Sequence, residues 1–398
     1  MPQKKHSHKG KGFFQRYGIL LLGILGAVLL GLVIYLLLPK SSPSHTADTP
    51  APSDGVSLED TVIHFVATGD LNITDKVIAS GKADFGDIFR DVAPLLAQAD
   101  LTAVNLEGNI AGAPYGTATG SAPHTLLQSL QKCGVDMIQL ANSYAINRGL
   151  SGLSSTIDAV RNLGMEPVGA FKSQQAYRDS RGFSLFQVKG IKIAVVAFTK
   201  GMDGMTLPAG SENCVNLLYE DYDSAYQWVN EDKINAVLDE VDKENPDLVI
   251  ALLHWGSEFN DNLSSTQYEI IDLLQGRGVD AIIGTHPHYV QKMELNAETG
   301  QFIAYSLGDF LSDADRAGTE YSVLLDLEIT KSAATNDVSI TGYSYTPLFT
   351  AATEDSVQVL RLESAMAAYE ADHLNAVSQE LYDKMAYAQW RIEARVEG

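Results

Sequence analysis

The chain is 398 residues long and carries 28 Lys and Arg against 50 Asp and Glu, a formal net charge of −22. Six of the basic residues and no acid fall in the first forty positions, which leaves 22 basic against 50 acidic residues beyond them, a formal charge of −28. That balance excludes nucleic acid and anionic lipid faces as partners of the outer part, and two cysteines, Cys133 and Cys214, are too few for a disulfide scaffold while leaving one pairing open.

At the N-terminus, Lys4, Lys5, Lys9, Lys11 and Arg16 precede an uncharged run of twenty residues, Ile19 to Leu38. As a helix this run spans about 30 Å, the hydrocarbon thickness of a bilayer. It ends in Tyr-Leu-Leu-Leu-Pro-Lys, without the small-residue exit of a cleaved signal peptide, and no nearby cysteine allows a lipoprotein anchor. The positive-inside rule then predicts a basic cytoplasmic tail over residues 1–17, a transmembrane anchor over 18–38, and everything later outside the cell membrane. Residues 39–60, rich in Ser, Pro, Thr and Asp, read as a disordered linker.

From Thr61 apolar strands alternate with helical segments. TVIHFVATGD is a strand ending in Gly-Asp, Asp87 to Gln98 has helical period, and ADLTAVNLEGN is a second strand ending in Asn-Leu-Glu. A helix near Leu126 to Cys133, a third strand in DMIQLANSYAINRG and a helix from about Leu150 to Leu163 follow, then strands in EPVGAF, GFSLFQV and IKIAVVAFT. A looser insert over Gly201 to Trp228 precedes a helix from Glu231 to Asn245, the strand LVIALLHW, a helix from Ser264 to Arg277 and a short strand from Asp280. Two more strands, YSVLLDLEI and VSITGYSYTP, lead to a helical region from about Ser356 to Val396, on which Met366, Tyr369, Leu381, Met385 and Trp390 are expected to dock. The alternation predicts a layered α/β domain over 61–350 with a C-terminal helical extension over 351–398.

Polar residues recur where these strands end, the place where open α/β sheets hold ligands. Asp70 follows the first strand, Asn105 and Glu107 the second, Asn142 the third, His254 a later one, and His286 and His288 the last. Pro287 biases His286 towards extended backbone, so an i, i+2 pair is expected to aim both rings at one point. Carboxylates with imidazoles suit zinc, manganese or iron. Singly, each residue also has a plain structural use: Asp70 as a helix cap, Glu107 as a solvated acid, Asn142 as a turn residue.

The order Gly69-Asp70, Asn105-Leu106-Glu107, Ala141-Asn142, His254-Trp255-Gly256 with Glu258, Gly284-Thr285-His286-Pro287-His288 and Ser306-Leu307-Gly308 with Phe310 resembles the CapA family. These are poly-γ-glutamate capsule synthesis proteins with a fold similar to calcineurin-like metallophosphoesterases, and the resemblance runs from about Val62 to Phe310. It implies a four-layer α/β sandwich and one or two divalent ions held by Asp70, Glu107, Asn142, His254, His286 and His288. It also implies work at the cell surface on an anionic polymer, or with membrane proteins of capsule synthesis. His254, Tyr144 and Glu258 are the candidate catalytic groups, His254 as ligand or as substrate contact and Glu258 as an orienting or merely solvated acid.

The sequence departs from that family's pattern in two places. The family's Ala-Asn-Asn-His, followed by Asp and Gly, reads here Ala141-Asn142-Ser143-Tyr144, then Asn147 before Gly149, and Asp309 stands where Asn is usual. Loss of a positioned acid costs about 10²- to 10⁴-fold in rate, and a phenol of pKa about 10 is a weaker acid at neutral pH. Two readings therefore stand side by side: a metal-dependent hydrolase or transferase, and a catalytically degenerate surface protein that binds polymer or a membrane partner.

Overall fold

The apolar strands pair into two sheets, described in a computed structural model for residues 59–82, 84–354, 356–371 and 377–397. The expected cytoplasmic tail, transmembrane anchor and nearly all of the linker lie outside the described residues. Among the described residues no helix is long and apolar enough to cross a membrane.

The eight-stranded sheet runs β14 (Val357–Arg361), β13 (Val338–Ala352), β12 (Tyr321–Lys331), β1 (Thr61–Asn72), β2 (Leu101–Glu107), β3 (Met137–Gln139) and β4 (Glu166–Val168), with β11 (Asp309–Leu311) also paired to β1. The six-stranded sheet runs β5 (Ser184–Val188), β6 (Ile191–Thr199), β7 (Leu248–His254), β8 (Ala281–Thr285), β10 (Phe302–Ala304) and β9 (Met293–Leu295). In each, the central strands are parallel: β1 to β4 in the first, β6, β7, β8 and β10 in the second. Parallel strands need crossovers, supplied here by α1 (Asp75–Ser80), α2 (Gly86–Phe89), α3 (Ala93–Gln98), α4 (His124–Lys132), α5 (Gly149–Asn162), α7 (Glu231–Asp242) and α8 (Ser265–Gly276), while α6 (Gln174–Ser180) lies on the passage from β4 in one sheet to β5 in the other. The chain closes with α9 (Leu362–Glu370) and α10 (Gln379–Val396).

Alternation along β6 shows how the layers stack. Ile191, Ile193, Val195 and Ala197 point into the core shared with the eight-stranded sheet. Ala194, Val196 and Phe198 point the other way, into a second core with Ile234, Val237, Leu238 and Val241 of α7 and Ile270, Ile271 and Leu274 of α8. The i, i+3, i+4, i+7 spacing on α7 is the single apolar stripe a surface helix needs, and α8 is started by a capping box between Ser264 and Gln267. A strand buried on both faces reads as a continuous apolar run, as β6, β7 and β8 do.

Three sequence expectations are corrected. Asp87–Gln98 is not one helix: Pro94 cannot donate its backbone nitrogen and crowds the carbonyl four residues back, so α2 stops and α3 restarts with Pro94 in its first turn. The third strand is only Met137–Gln139, and the rest of that segment is a turn carrying Asn142 and Tyr144. Residues 357–361, expected to be helical, form β14 on the free edge of β13, with Val357 and Val359 buried. Met385 is buried in the core as expected, whereas Trp390 is exposed. Cys133 and Cys214 are both buried, free thiols.

The two sheets converge at the C-terminal end of β1, and glycine makes that approach feasible. A Cβ on Gly69 would stand 1.8 Å from the Gly308 carbonyl oxygen, which itself accepts the Asp70 backbone N–H at 3.0 Å. Gly69→Ala is therefore expected to cost about 3 kcal/mol or more in denaturant unfolding. Gly342→Ala, on β13 with nothing within 4 Å of the added carbon, is the matched control. Equal stability of the two variants would rule out the close contact at Gly308.

Candidate metal centre

Strand register puts the polar residues side by side. Asp70 on β1 pairs with Asn105 on β2 and with Asp309 on β11, and Asn72 pairs with Glu107. From the other sheet, His254 ends β7 in register with Thr285, the last residue of β8, and His286 and His288 follow directly. The sequence candidates Asp70, Glu107, His254, His286 and His288 are thus brought to one point, all buried, in three overlapping groups whose ligand atoms lie within 4.8 Å of one another. Asp309 belongs to one of these groups, with Asp70 and His288.

Asp70 is the centre of the hydrogen bonding. Its Oδ1 accepts from Asn105 Nδ2 at 2.6 Å and its Oδ2 accepts from the His286 backbone N–H at 2.9 Å, one bond from each sheet. Asn142 is buried and positions its neighbours: its Nδ2 donates to Asn105 Oδ1 at 2.9 Å and to the Leu106 carbonyl at 2.7 Å, and its Oδ1 accepts from the Tyr144 N–H at 3.0 Å. His254, with no exposed surface, lies with Nδ1 3.2 Å from Thr285 Oγ1 and Nε2 3.1 Å from Ser143 Oγ and 3.4 Å from Glu107 Oε1. His288 Nδ1 meets Asp309 Oδ1 at 2.7 Å, and that same oxygen accepts from Asn72 Nδ2 at 3.1 Å.

The route by which the two histidines converge differs from expectation. His286 and His288 are not extended; their φ angles are +94° and +59°, in the left-handed region that costs an L-residue of order 1–3 kcal/mol. The turn bends the chain so that His286 can give its N–H to Asp70, with the two ring centroids 6.0 Å apart. Gly284 helps from below: a Cβ there would stand 2.1 Å from the Tyr305 carbonyl, which takes the Trp255 indole N–H at 3.0 Å.

Electrostatics define what the site lacks. Burial, followed by the positive charges of neighbouring histidines and Lys200, holds His254 and His286 well below the usual imidazole range, so both are neutral and able to offer a lone pair. Burial pushes Asp70 and Glu107 up, Glu107 strongly, and lifts Asp309 to about 6. For His288 burial works downward, but the charge and hydrogen bond of Asp309, with Glu107 and Asp70, win and push it up to about 11. Three buried carboxyl groups thus share one buried imidazolium, and their upward shifts measure the cost of charging all three. Each uncompensated buried charge costs several kcal/mol, and Glu107 Oε1 has no hydrogen-bond partner among the described residues. A divalent ion such as manganese, zinc or iron would fit that mixed carboxylate and imidazole set, would give the orphaned oxygen a partner and would take the place of the His288 proton.

Beside the ligands opens a cavity of about 420 Å³ lined by Asn72, Tyr144, Glu258, Phe259, His288, Asp309 and the loop of residues 312–319. Tyr144 is partly exposed there, its phenol pushed up to about 12 by burial and then by Glu107, Glu258, Asp203 and Asp309. Glu258 is an exposed residue on the cavity wall without a side-chain hydrogen bond among the described residues. Asn147 is apart from the cavity and donates to the Thr119 carbonyl at 3.0 Å. Sequence reasoning missed Asn72, Ser143 and Thr285. The first two had a signal, since Asn72 is i+2 from Asp70 on the same strand and so shares its face, and Ser143 adjoins Asn142.

The family model of the bacterial capsule synthesis protein PGA_cap matches residues 64–314. The chain is similar to the capsule biosynthesis protein CapA of Bacillus anthracis, 25% identical over 249 residues, 61% of this chain and 57% of that protein. It is also similar to the PGA biosynthesis protein CapA of Bacillus subtilis (strain 168), 25% identical over 293 residues, 72% of each. The chain therefore spans a little over half the length of the first of these relatives. Among solved structures, the calcineurin-like phosphoesterase YfkN from Bacillus subtilis aligns with a TM-score of 0.46 and 14% identity, over 83% of this chain and all of that one.

The His288–Asp309 pair predicts how the metal-free protein responds to pH. His288 holds its proton in the fold up to about 11 but releases it near 6.5 when unfolded, so its contribution is complete below the lower value and is lost as pH rises towards the upper one. Melting temperature measured after chelation should fall between about pH 6.5 and 9, and added manganese should reverse the fall. A flat profile over that range would contradict the buried pair.

Proposed function

The chain belongs to the bacterial capsule synthesis protein family PGA_cap, and from that premise we propose a CapA-like protein of capsule or poly-γ-glutamate biosynthesis, export or release that acts through a divalent-metal centre in hydrolysis or transfer. Residues 18–38 anchor it in the cell membrane, the tail of residues 1–17 is cytoplasmic, and the main domain is outside. There it meets the anionic polymer or membrane proteins of capsule synthesis. The pairing of the strands into two sheets, with α7 and α8 packed on the outer face of β6, supports the four-layer sandwich of this reading.

The observation that carries the metal-dependent reading is the buried, orphaned Glu107 carboxylate among Asp70, His254, His286, His288 and Asp309. Those residues would hold manganese, zinc or iron, and Asp309 adds a third carboxylate, which brings the acids of the donor set closer to the charge of two ions without cancelling it. Asn142 orients Asn105 and, through it, Asp70. A bound divalent ion supplies a Lewis acid that polarises a phosphoryl or acyl oxygen and acidifies water. His254, wholly buried and neutral, serves as a ligand seated against Ser143 and Thr285. Tyr144, protonated at neutral pH, donates a hydrogen bond to the leaving group from the cavity wall. Glu258, facing the same cavity, can accept a proton from the attacking group.

The second reading, binding without turnover, is favoured by one observation: a phenol raised to about 12 is a poor proton donor in place of an imidazole.

Elemental analysis of the purified full-length protein without a histidine tag comes first. About one or more equivalents of transition metal are expected, reduced in His286→Ala, whereas a folded wild type that takes up no metal would end the metal-dependent reading. With manganese or zinc present, Tyr144→Phe should lower turnover of γ-glutamyl or phosphodiester substrates by about 10²-fold if the phenol is the donor. A wild type that holds metal but turns over neither would leave the binding protein as the surviving reading.

A further inference from the structure

Among the twelve residues lining the metal cavity, Arg316 is the only Lys or Arg. It is exposed, and among the described residues its guanidinium makes no ion pair or hydrogen bond. Instead the guanidinium carbon stands 3.7 Å from the centroid of the Phe259 ring. That same ring stacks on His288 at 5.1 Å with a 23° tilt, so Arg316 is one aromatic ring away from a metal-centre residue. An arginine laid on an aromatic face keeps its in-plane N–H groups free for a bidentate acceptor.

The chain holds this arrangement rigidly. Phe259 is a bulky residue at φ +53°, a conformation such residues adopt only where their surroundings enforce it, and its N–H is fixed by the Pro287 carbonyl at 2.9 Å. The loop bearing Arg316 is tied on three sides: Thr319 Oγ1 donates to the Arg316 carbonyl at 2.8 Å, Tyr289 OH to the Ala317 carbonyl at 3.2 Å, and Lys76 pairs with Asp315 at 3.0 Å. The side chain is therefore presented by a loop that needs little ordering when a ligand arrives.

We propose that Arg316 is a substrate-binding residue: its guanidinium receives a carboxylate or phosphoryl oxyanion of the substrate bidentately at the mouth of the cavity and sets the register of an anionic chain across His288 and Asp309. This rests on the reading of the cavity as a site for an anionic polymer. The −28 charge of the outer part repels such a polymer at long range, and Glu258, Asp313 and Asp315 line the same cavity. A single unpaired arginine on that wall consequently decides where along the chain the polymer can be gripped.

The test uses the full-length protein in detergent, loaded with manganese and titrated with a short γ-glutamyl oligomer, its neutral amidated counterpart, and inorganic phosphate. Arg316→Ala should weaken oligomer binding about 10- to 100-fold, and Arg316→Lys should restore only part of it. Metal content, melting temperature and binding of the amidated oligomer should not change. Phosphate binding that depends on Arg316, without oligomer binding, would support the oxyanion site and assign it to a phosphoryl group. Unaltered affinity for both anions in Arg316→Ala would overturn the proposal, as would a metal-loaded wild type that binds neither. Arg316-dependent binding without turnover would defeat the hydrolase reading alone; turnover with KM unchanged in Arg316→Ala would defeat the Arg316 assignment alone.

Discussion

One buried carboxylate joins the two halves of this fold. Asp70 has no exposed surface, and it accepts Asn105 Nδ2 from its own sheet and the His286 backbone N–H from the other. Fully burying a carboxylate is costly unless it is hydrogen-bonded and paired with positive charge. The surroundings meet that demand in layers: Asn142 fixes Asn105, Gly69 lets the Gly308 backbone approach, and His288 lies 3.7 Å away. His254 against Ser143 and Glu107, and His288 against Asp309, add further polar contacts between the same strand ends.

The same demand explains where the chain accepts strain. His286, His288 and Phe259 all have positive φ, and the three lie together, Phe259 stacked on His288 and hydrogen-bonded through its N–H to the Pro287 carbonyl. The apolar layers on both sides of β6, β7 and β8 supply the stability that tolerates it. The C-terminal helix adds a further support, since Arg395 on α10 donates to the Val290 carbonyl and pairs with Asp261, bracing both loops that frame the cavity.

Chemistry at the cavity is shaped by an excess of negative charge. Burial first, and then Glu107, Glu258, Asp203 and Asp309, push the Tyr144 phenol up, so the group standing where the resembled family has histidine is kept protonated. Ser143, beside it, touches His254. On the proposed reading a phenol would take the place of the imidazole as proton donor, while Asp70, Glu107, His254, His286 and His288 still come together.

The residue pattern alone was enough for the strand-and-helix alternation, for the apolar insides of the strands and for the seven polar positions at strand ends, because period and burial are local consequences of composition. Asp70, Glu107, His254, His286 and His288 could be singled out for that reason. Sequence could not give the split at Pro94 into α2 and α3, the strand at Val357–Arg361, or the exposure of Trp390, since each depends on which edge or surface a distant element leaves open. It also misjudged how His286 and His288 converge: local preference favours extended backbone before Pro287, whereas the hydrogen bond to Asp70, 216 residues away, favours a left-handed turn. Composition thus determined which residues could hold a cation. The i, i+2 spacing put Asn72 on the face of Asp70, and the resemblance put Asp309 close to the site. Only the packing of one sheet against the other decided that Arg316 stands beside them, because its loop is remote along the chain from Asp70, Glu107 and His254.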